Sequence, residues 1–136
     1  MLKKKPVKKA KQTKSKVPST KKLVKELDKV FGDYIVNRDN CTCITCGKKI
    51  VNDRKKIQCG HYISRKHYAT RWDERNCSGQ CIGCNVFGNG RPDDYAIKII
   101  EKYGMGVLKE LNRLKYSNFK LSTAWLLDKI AFYKNK

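Results

Sequence analysis

Leu23, Val24, Leu27, Val30, Phe31, Tyr34 and Ile35 recur at helical spacing and form one apolar stripe. Ser19 or Thr20 can cap this helix, which is predicted to run to about Arg38. The stripe is too short for sustained heptads, so it reads as a face docked on a core. The period then falls to two. Ile57, Cys59, His61 and Ile63 alternate with Gln58, Gly60 and Tyr62, which predicts a strand with His61 on the face of Ile57 and Cys59. A loop rich in charge and aromatics follows, then a second strand near Asn76–Gln80. A short helix is expected around Cys81–Cys84, stopping by the turn-forming Gly88-Asn89-Gly90. Asp93 is placed to cap a helix Asp94–Tyr103 that ends at Gly104. Two more helices are predicted, near Val107–Tyr116 and, behind Ser122, over Thr123–Tyr133. Trp125, Leu126, Ile130 and Tyr133 of the last one belong in the core. No internal repeat is visible.

Charge adds a partner to this picture. The 136 residues carry a formal net charge of +20, and the first 22 hold ten Lys and no acid. The remainder is still basic, at +10. Such a field attracts polyanions, and nucleic acid is the commonest of them. Residues 1–18 are Lys-rich and poor in apolar side chains, which predicts a disordered tail. Residues 19–136 then form a single domain, divided into an N-terminal helix (19–39), a metal-rich centre (40–90) and C-terminal helices (91–136). No stretch reads as a signal peptide or a membrane span. The expected location is a reducing bacterial cytoplasm, with no membrane partner.

In that compartment seven cysteines favour metal over disulfides. Cys43-x-x-Cys46 and Cys81-x-x-Cys84 are two knuckles with 34 residues between them, room for a hairpin looped out of a zinc clip. Four sulfur ligands leave no open position for water, so this zinc is structural. Cys41, Cys59 and Cys77 are left over, and Cys59 and Cys77 read as small buried hydrophobes on the strands.

Between the knuckles and directly after the second stand the groups that carry chemistry. His61 is the candidate general base, since an imidazole accepts a proton from water near neutral pH. Asn85 follows the second knuckle, and its hard carbonyl oxygen suits Mg²⁺ or Mn²⁺. Asn76 reads as a clamp that holds the loop backbone and so the position of His61. Arg65, Lys66, Arg71 and Arg75 crowd the loop and are candidate phosphate contacts. Tyr62, Tyr68 and Trp72 interleave with them and suit sugars or unstacked bases.

The His–Asn–Asn order nested in paired knuckles is that of an HNH, or ββα-metal, nuclease. The chain also resembles the NinG (Rap) family of phage recombination endonucleases over about Leu27–Gly104. The resemblance rests on Phe31-x-x-Tyr34-Ile35-x-x-Arg38-Asp39, Cys43-x-Thr45-Cys46-Gly47-Lys48 and Gly60-His61-Tyr62-Ile63-Ser64-Arg65. It continues through Arg71-Trp72, Asn76, Gln80-Cys81-x-x-Cys84-Asn85, Gly88-Asn89 and Tyr95. The knuckle layout is similar to that of phage endonuclease VII, a junction resolvase. These resemblances imply cutting of branched DNA such as D-loops and Holliday-type junctions, with 5′-phosphate and 3′-hydroxyl products. They also imply zinc on Cys43, Cys46, Cys81 and Cys84, a base role for His61 and a metal role for Asn85. Many HNH nucleases place a metal-binding Asp directly before the base, where this chain has Gly60. Asp73, Glu74, Asp93 and His67 are the side chains left to fill that place.

The expectation is therefore a small α+β domain: a zinc-stabilised ββα-metal (HNH-like) core with flanking helices and a basic tail. Its activity would be Mg²⁺- or Mn²⁺-dependent cleavage of branched DNA. Paired cuts across a junction suit a homodimer, and phage recombination proteins are the natural partners. A zinc-ribbon DNA-binding protein without catalysis is the alternative.

Overall fold

The computed structural model describes residues 16–136. The predicted tail lies outside them, except for residues 16–18, which are exposed and form no regular element. Helix α1 (Thr20–Arg38) starts where Ser19 Oγ accepts the Lys22 N–H at 3.3 Å, so Ser19 is the cap. Its apolar stripe is buried at Leu23, Val24, Leu27, Phe31 and Ile35, while Val30 is only partly covered. That face packs on helix α5 (Thr123–Lys134) and on a two-stranded sheet. Leu126, Ile130 and Tyr133 of α5 meet it, together with Trp72 and Cys77.

The sheet pairs β1 (Ile57–His61) with β2 (Cys77–Cys81) antiparallel, Ile57 opposite Cys81 and His61 opposite Cys77. Both strands differ from the sequence reading at their loop ends. β1 stops two residues short of Ile63, and β2 begins one residue after Asn76. The cause is Asn76, whose Oδ1 takes the Ile63 N–H at 2.7 Å and draws that backbone out of the ladder. Within the connecting loop lies a single helical turn that the pattern did not announce, α2 (Tyr68–Arg71).

After β2 the chain enters a wide π-type turn, Gly83–Phe87, closed by Gly88 N–H to the Gly83 carbonyl at 2.8 Å. Helix α3 (Pro92–Tyr103) corrects the expected start. Arg91 occupies the cap position with φ 45°, Pro92 is the first helical residue, and Asp93 and Asp94 sit in the first turn. Proline has no N–H to leave unpaired there and its φ is already helical. The two acids favour the positive end of the helix. Helix α4 (Val107–Lys115) packs on α3 through Tyr95, Ile99, Val107 and Leu111, a second apolar cluster that also covers Tyr62 and Ile63. No helix among the described residues is long and apolar enough to cross a membrane.

Candidate metal centre and cleft

The first knuckle is a tight turn. Gly47 N–H donates to the Cys43 carbonyl at 2.8 Å, and Gly47 sits at φ 74°, a conformation a side chain would strain. Ile44 N–H bonds the Gly79 carbonyl at 2.8 Å, which ties the knuckle to β2. Cys81 ends β2 and Cys84 lies in the π-type turn, so the second pair arrives from the other side. The four sulfurs lie within 4.8 Å of one another, with Cys46 and Cys81 3.8 Å apart. Tetrahedral zinc with bonds of about 2.3 Å has S–S edges of about 3.8 Å. This cluster can hold a metal ion such as zinc. Burial pushes the Cys43 thiol up, but the Thr45 hydroxyl and the N–H groups of Cys46, Cys81 and Thr45 outweigh it and bring it down to about 6. The peptide frame thus favours a thiolate at Cys43, the form a metal takes, whereas burial pushes the Cys81 thiol up to about 12. Arg91 Nη1 lies 3.8 Å from Cys84 Sγ and offsets negative charge there; nothing in the sequence marks it for that place.

Next to this centre the hairpin and the π-type turn border an open cleft of about 550 Å³, lined by Gln58, Cys59, His61, Ser64, Arg65 and Asn85. The expected base and the expected metal-binding amide therefore share one cleft. His61 Nε2 lies 2.9 Å from the Arg71 carbonyl, an acceptor only, so Nε2 carries the proton and Nδ1 is left as a basic lone pair. Burial pushes the His61 pKa down to about 4, so the ring is neutral at physiological pH. Asn85 Nδ2 donates to Gln58 Oε1 at 2.8 Å, which fixes the amide and leaves Asn85 Oδ1 without a protein donor among the described residues. Gln58, unremarkable as a polar residue on a strand, is the partner that sequence reasoning missed.

Asn76 does not reach the cleft. It is fully buried, and its Nδ2 donates to the carbonyls of Ile63 at 3.1 Å and Thr70 at 3.0 Å while Oδ1 accepts from Ile63. It is a clamp on the loop, and it holds the carbonyl of Thr70, the residue directly before Arg71, whose carbonyl faces His61.

The loop cations divide into two kinds. Arg71 is bound by both oxygens of Asp28 on α1 and donates to the Arg65 carbonyl, so it braces the loop. Arg75 is paired with Asp73 through Nε at 3.0 Å and Nη2 at 2.7 Å. Both were expected as phosphate contacts, and both have carboxylate partners inside the protein. Arg65 and Lys66 remain exposed, and Arg65 lines the cleft. The aromatics divide likewise. Tyr62 packs on Tyr95, and Trp72 is buried with its indole N–H on Asp28, whereas Tyr68 is exposed and stacked on Trp72. None of the side chains left to replace the missing Asp lines this cleft. Asp73 holds Arg75, Glu74 accepts from Tyr34 and Tyr133, and Asp93 sits in the first turn of α3. His67 lines a neighbouring groove with Tyr62, Leu108 and Lys115. Behind Gly60 stands Gln80: a Cβ at Gly60 would overlap Gln80 Oε1 and fall 2.9 Å from Gln80 Cβ. The Gln80 side chain occupies the space that a residue larger than glycine would need.

Comparison with known proteins agrees with the motif series. The family model described as Bacteriophage Lambda NinG protein matches residues 2–136. The protein ninG of Salmonella phage P22 is 29% identical over 90 residues, covering 65% of this chain and 43% of that protein. The ninG proteins of Escherichia phage 933W and Enterobacteria phage VT2-Sa are each 28% identical over the same shares. The matched region spans less than half the length of these curated relatives. No solved structure matches. With nearly its whole length matched by the family model, the chain belongs to the NinG family of bacteriophage proteins.

Proposed function

We propose that this protein is a metal-dependent, structure-specific DNA endonuclease that acts on branched recombination intermediates such as D-loops and Holliday-type junctions. One observation carries the reading: His61, with its tautomer fixed by the Arg71 carbonyl, shares an open cleft with Asn85. The order of two antiparallel strands followed by a helical turn bearing Asn85 agrees with a ββα-metal core.

In this reading His61 Nδ1 takes a proton from the attacking water. Its pKa of about 4 in the free protein keeps it neutral, and an anionic phosphate in the cleft raises its affinity for the proton as the reaction proceeds. Asn85 Oδ1 is the residue available to hold Mg²⁺ or Mn²⁺, which when bound supplies Lewis-acid stabilisation of charge on the phosphate. Gln58 keeps that oxygen directed by holding the amide nitrogen. Arg65 and Lys66 bind phosphate oxygens on the flanking backbone. Asn76 and the Asp28–Arg71 pair hold the loop that positions His61. The four-cysteine zinc staples the hairpin and takes no part in the chemistry. A homodimer, with one cleft per strand, suits paired cuts across a junction.

The alternative is a zinc-dependent DNA-binding protein without catalysis, and the absence of a carboxylate among the cleft residues favours it. Incubation of branched and linear DNA with the protein in Mg²⁺ or EDTA separates the two. Nicking of the branched substrate in Mg²⁺ alone is expected; binding without cleavage in either condition rejects the nuclease reading.

A further inference from the structure

The hairpin brings together three side chains of which the proposed hydrolysis uses only one. His61 and Cys77 stand opposite each other across the strand pair. Cys59 lies two residues before His61, on the same face of β1. Both sulfurs and one imidazole nitrogen lie within 4.8 Å of one another. The Arg71 carbonyl, 2.9 Å from His61 Nε2 and 3.4 Å from Cys77 Sγ, marks the point on which the latter two converge. Cys77 is fully buried, whereas Cys59 and His61 line the cleft, so an ion has a route in. None of the three belongs to the four-cysteine centre. Two thiols and an imidazole are a soft donor set; they suit Zn²⁺ or Cd²⁺ and do not suit Mg²⁺.

We propose that Cys59, His61 and Cys77 form a second metal site, three protein ligands with an open fourth position, for a thiophilic divalent cation such as Zn²⁺. Strand register preplaces the three ligands. Closing on an ion displaces the Cys77 S–H proton, and the His61 N–H proton where Nε2 is the ligand, from their bonds to the Arg71 carbonyl, so binding releases protons and strengthens as pH rises. Occupation has a consequence that rests on the nuclease reading: the ion takes the imidazole that would act as base, so Zn²⁺ switches cleavage off while Mg²⁺ supports it.

The test uses the full chain, reduced and equilibrated by dialysis against micromolar free Zn²⁺, with bound zinc counted by elemental analysis. Cd²⁺ substitution reports thiolate ligation through its ultraviolet charge-transfer band. The wild type is expected to hold two equivalents. Cys59→Ser and His61→Ala are each expected to keep the first and to bind the second roughly tenfold more weakly or worse. A folded wild type that saturates at one equivalent, or a second equivalent held equally well by both variants, overturns the site. Cys59 is only half-buried, so its variant folds where a Cys77 variant need not. Cleavage is read separately, with Zn²⁺ added at saturating Mg²⁺. Inhibition of the wild type and relief in Cys59→Ser support the site and its consequence. A second equivalent that binds through Cys59 without slowing cleavage keeps the site and refutes His61 as the base.

Discussion

Replacing Asn76 by Ala removes three hydrogen bonds at once: from Ile63 N–H at 2.7 Å, to the Ile63 carbonyl at 3.1 Å and to the Thr70 carbonyl at 3.0 Å. The side chain is fully buried. A typical bond contributes about 1 kcal/mol net, and a partner left unpaired in the interior costs about 1–3 kcal/mol. The Thr70 bond is buried and carries the full cost, while water can reach the half-buried Ile63 groups in part. The expected loss is therefore about 3–5 kcal/mol, a large share of the 5–15 kcal/mol typical of a natural domain. Asn76→Asp keeps the acceptor but turns a carboxylate toward two carbonyls, and it should be as damaging. Urea denaturation followed by circular dichroism measures both variants, and the unfolding slope should stay near the wild-type value. Zinc content should persist in the folded fraction, because all four cysteines lie on other segments. A loss below about 1 kcal/mol for Asn76→Ala would refute the clamp.

Four further outcomes are expected. Cys84→Ser should abolish the zinc and the cooperative unfolding transition together, as judged by elemental analysis and denaturation, because metal binding and folding are coupled in a domain this small; a zinc-free variant with wild-type stability contradicts that coupling. The acid limb of kcat/KM should fall near pH 4, not near 6.5, because burial depresses the His61 pKa in the free protein. The same depression means the unfolded chain binds more protons between about pH 6.5 and 4, so stability should drop across that window as pH falls, by on the order of 3 kcal/mol at most; a flat stability–pH curve there excludes a buried neutral imidazole. Gly60→Asp should destabilise by about 1–3 kcal/mol, since the new Cβ meets Gln80, and Gln80→Ala in the same chain should recover part of that loss.

Much of the fold was legible because periodicity reports burial. The α1 stripe and the Ser122 cap are local patterns, and each stands where its pattern places it, while the β1 alternation placed the strand but overran its end by two residues. The start of α3 was missed because Asp93 and Pro92 both carry helix-start signals, and only the backbone conformation at Arg91 chooses between them. The four-cysteine cluster was readable from spacing, and the HNH-like order of His and Asn residues singled out His61 and Asn85, which border one cleft. The partners of Arg71 and Arg75 were not. Asp28 is 43 residues from Arg71, and no local pattern tells an arginine paired inside the fold from one that is free. Gln58 escaped for a related reason: a polar residue on a strand acquires its role only when the π-type turn brings Asn85 over it. Cys59 and Cys77 read as buried apolar residues because their convergence on His61 depends on strand register, which composition does not encode.

The central claim is that His61 is the general base of a DNA-cleaving cleft, and its most direct test is the rate at which His61→Ala cuts a branched substrate at saturating Mg²⁺. Removing an imidazole that activates water should lower cleavage by roughly 10²–10⁴-fold. DNA affinity should stay nearly unchanged, because Arg65, Lys66 and the basic remainder of the chain still attract phosphate. The four-cysteine zinc should also remain, since His61 is not among its ligands. Cleavage by His61→Ala at the wild-type rate, with zinc content and affinity intact, would contradict the account and leave DNA binding without this catalysis as the reading of the cleft.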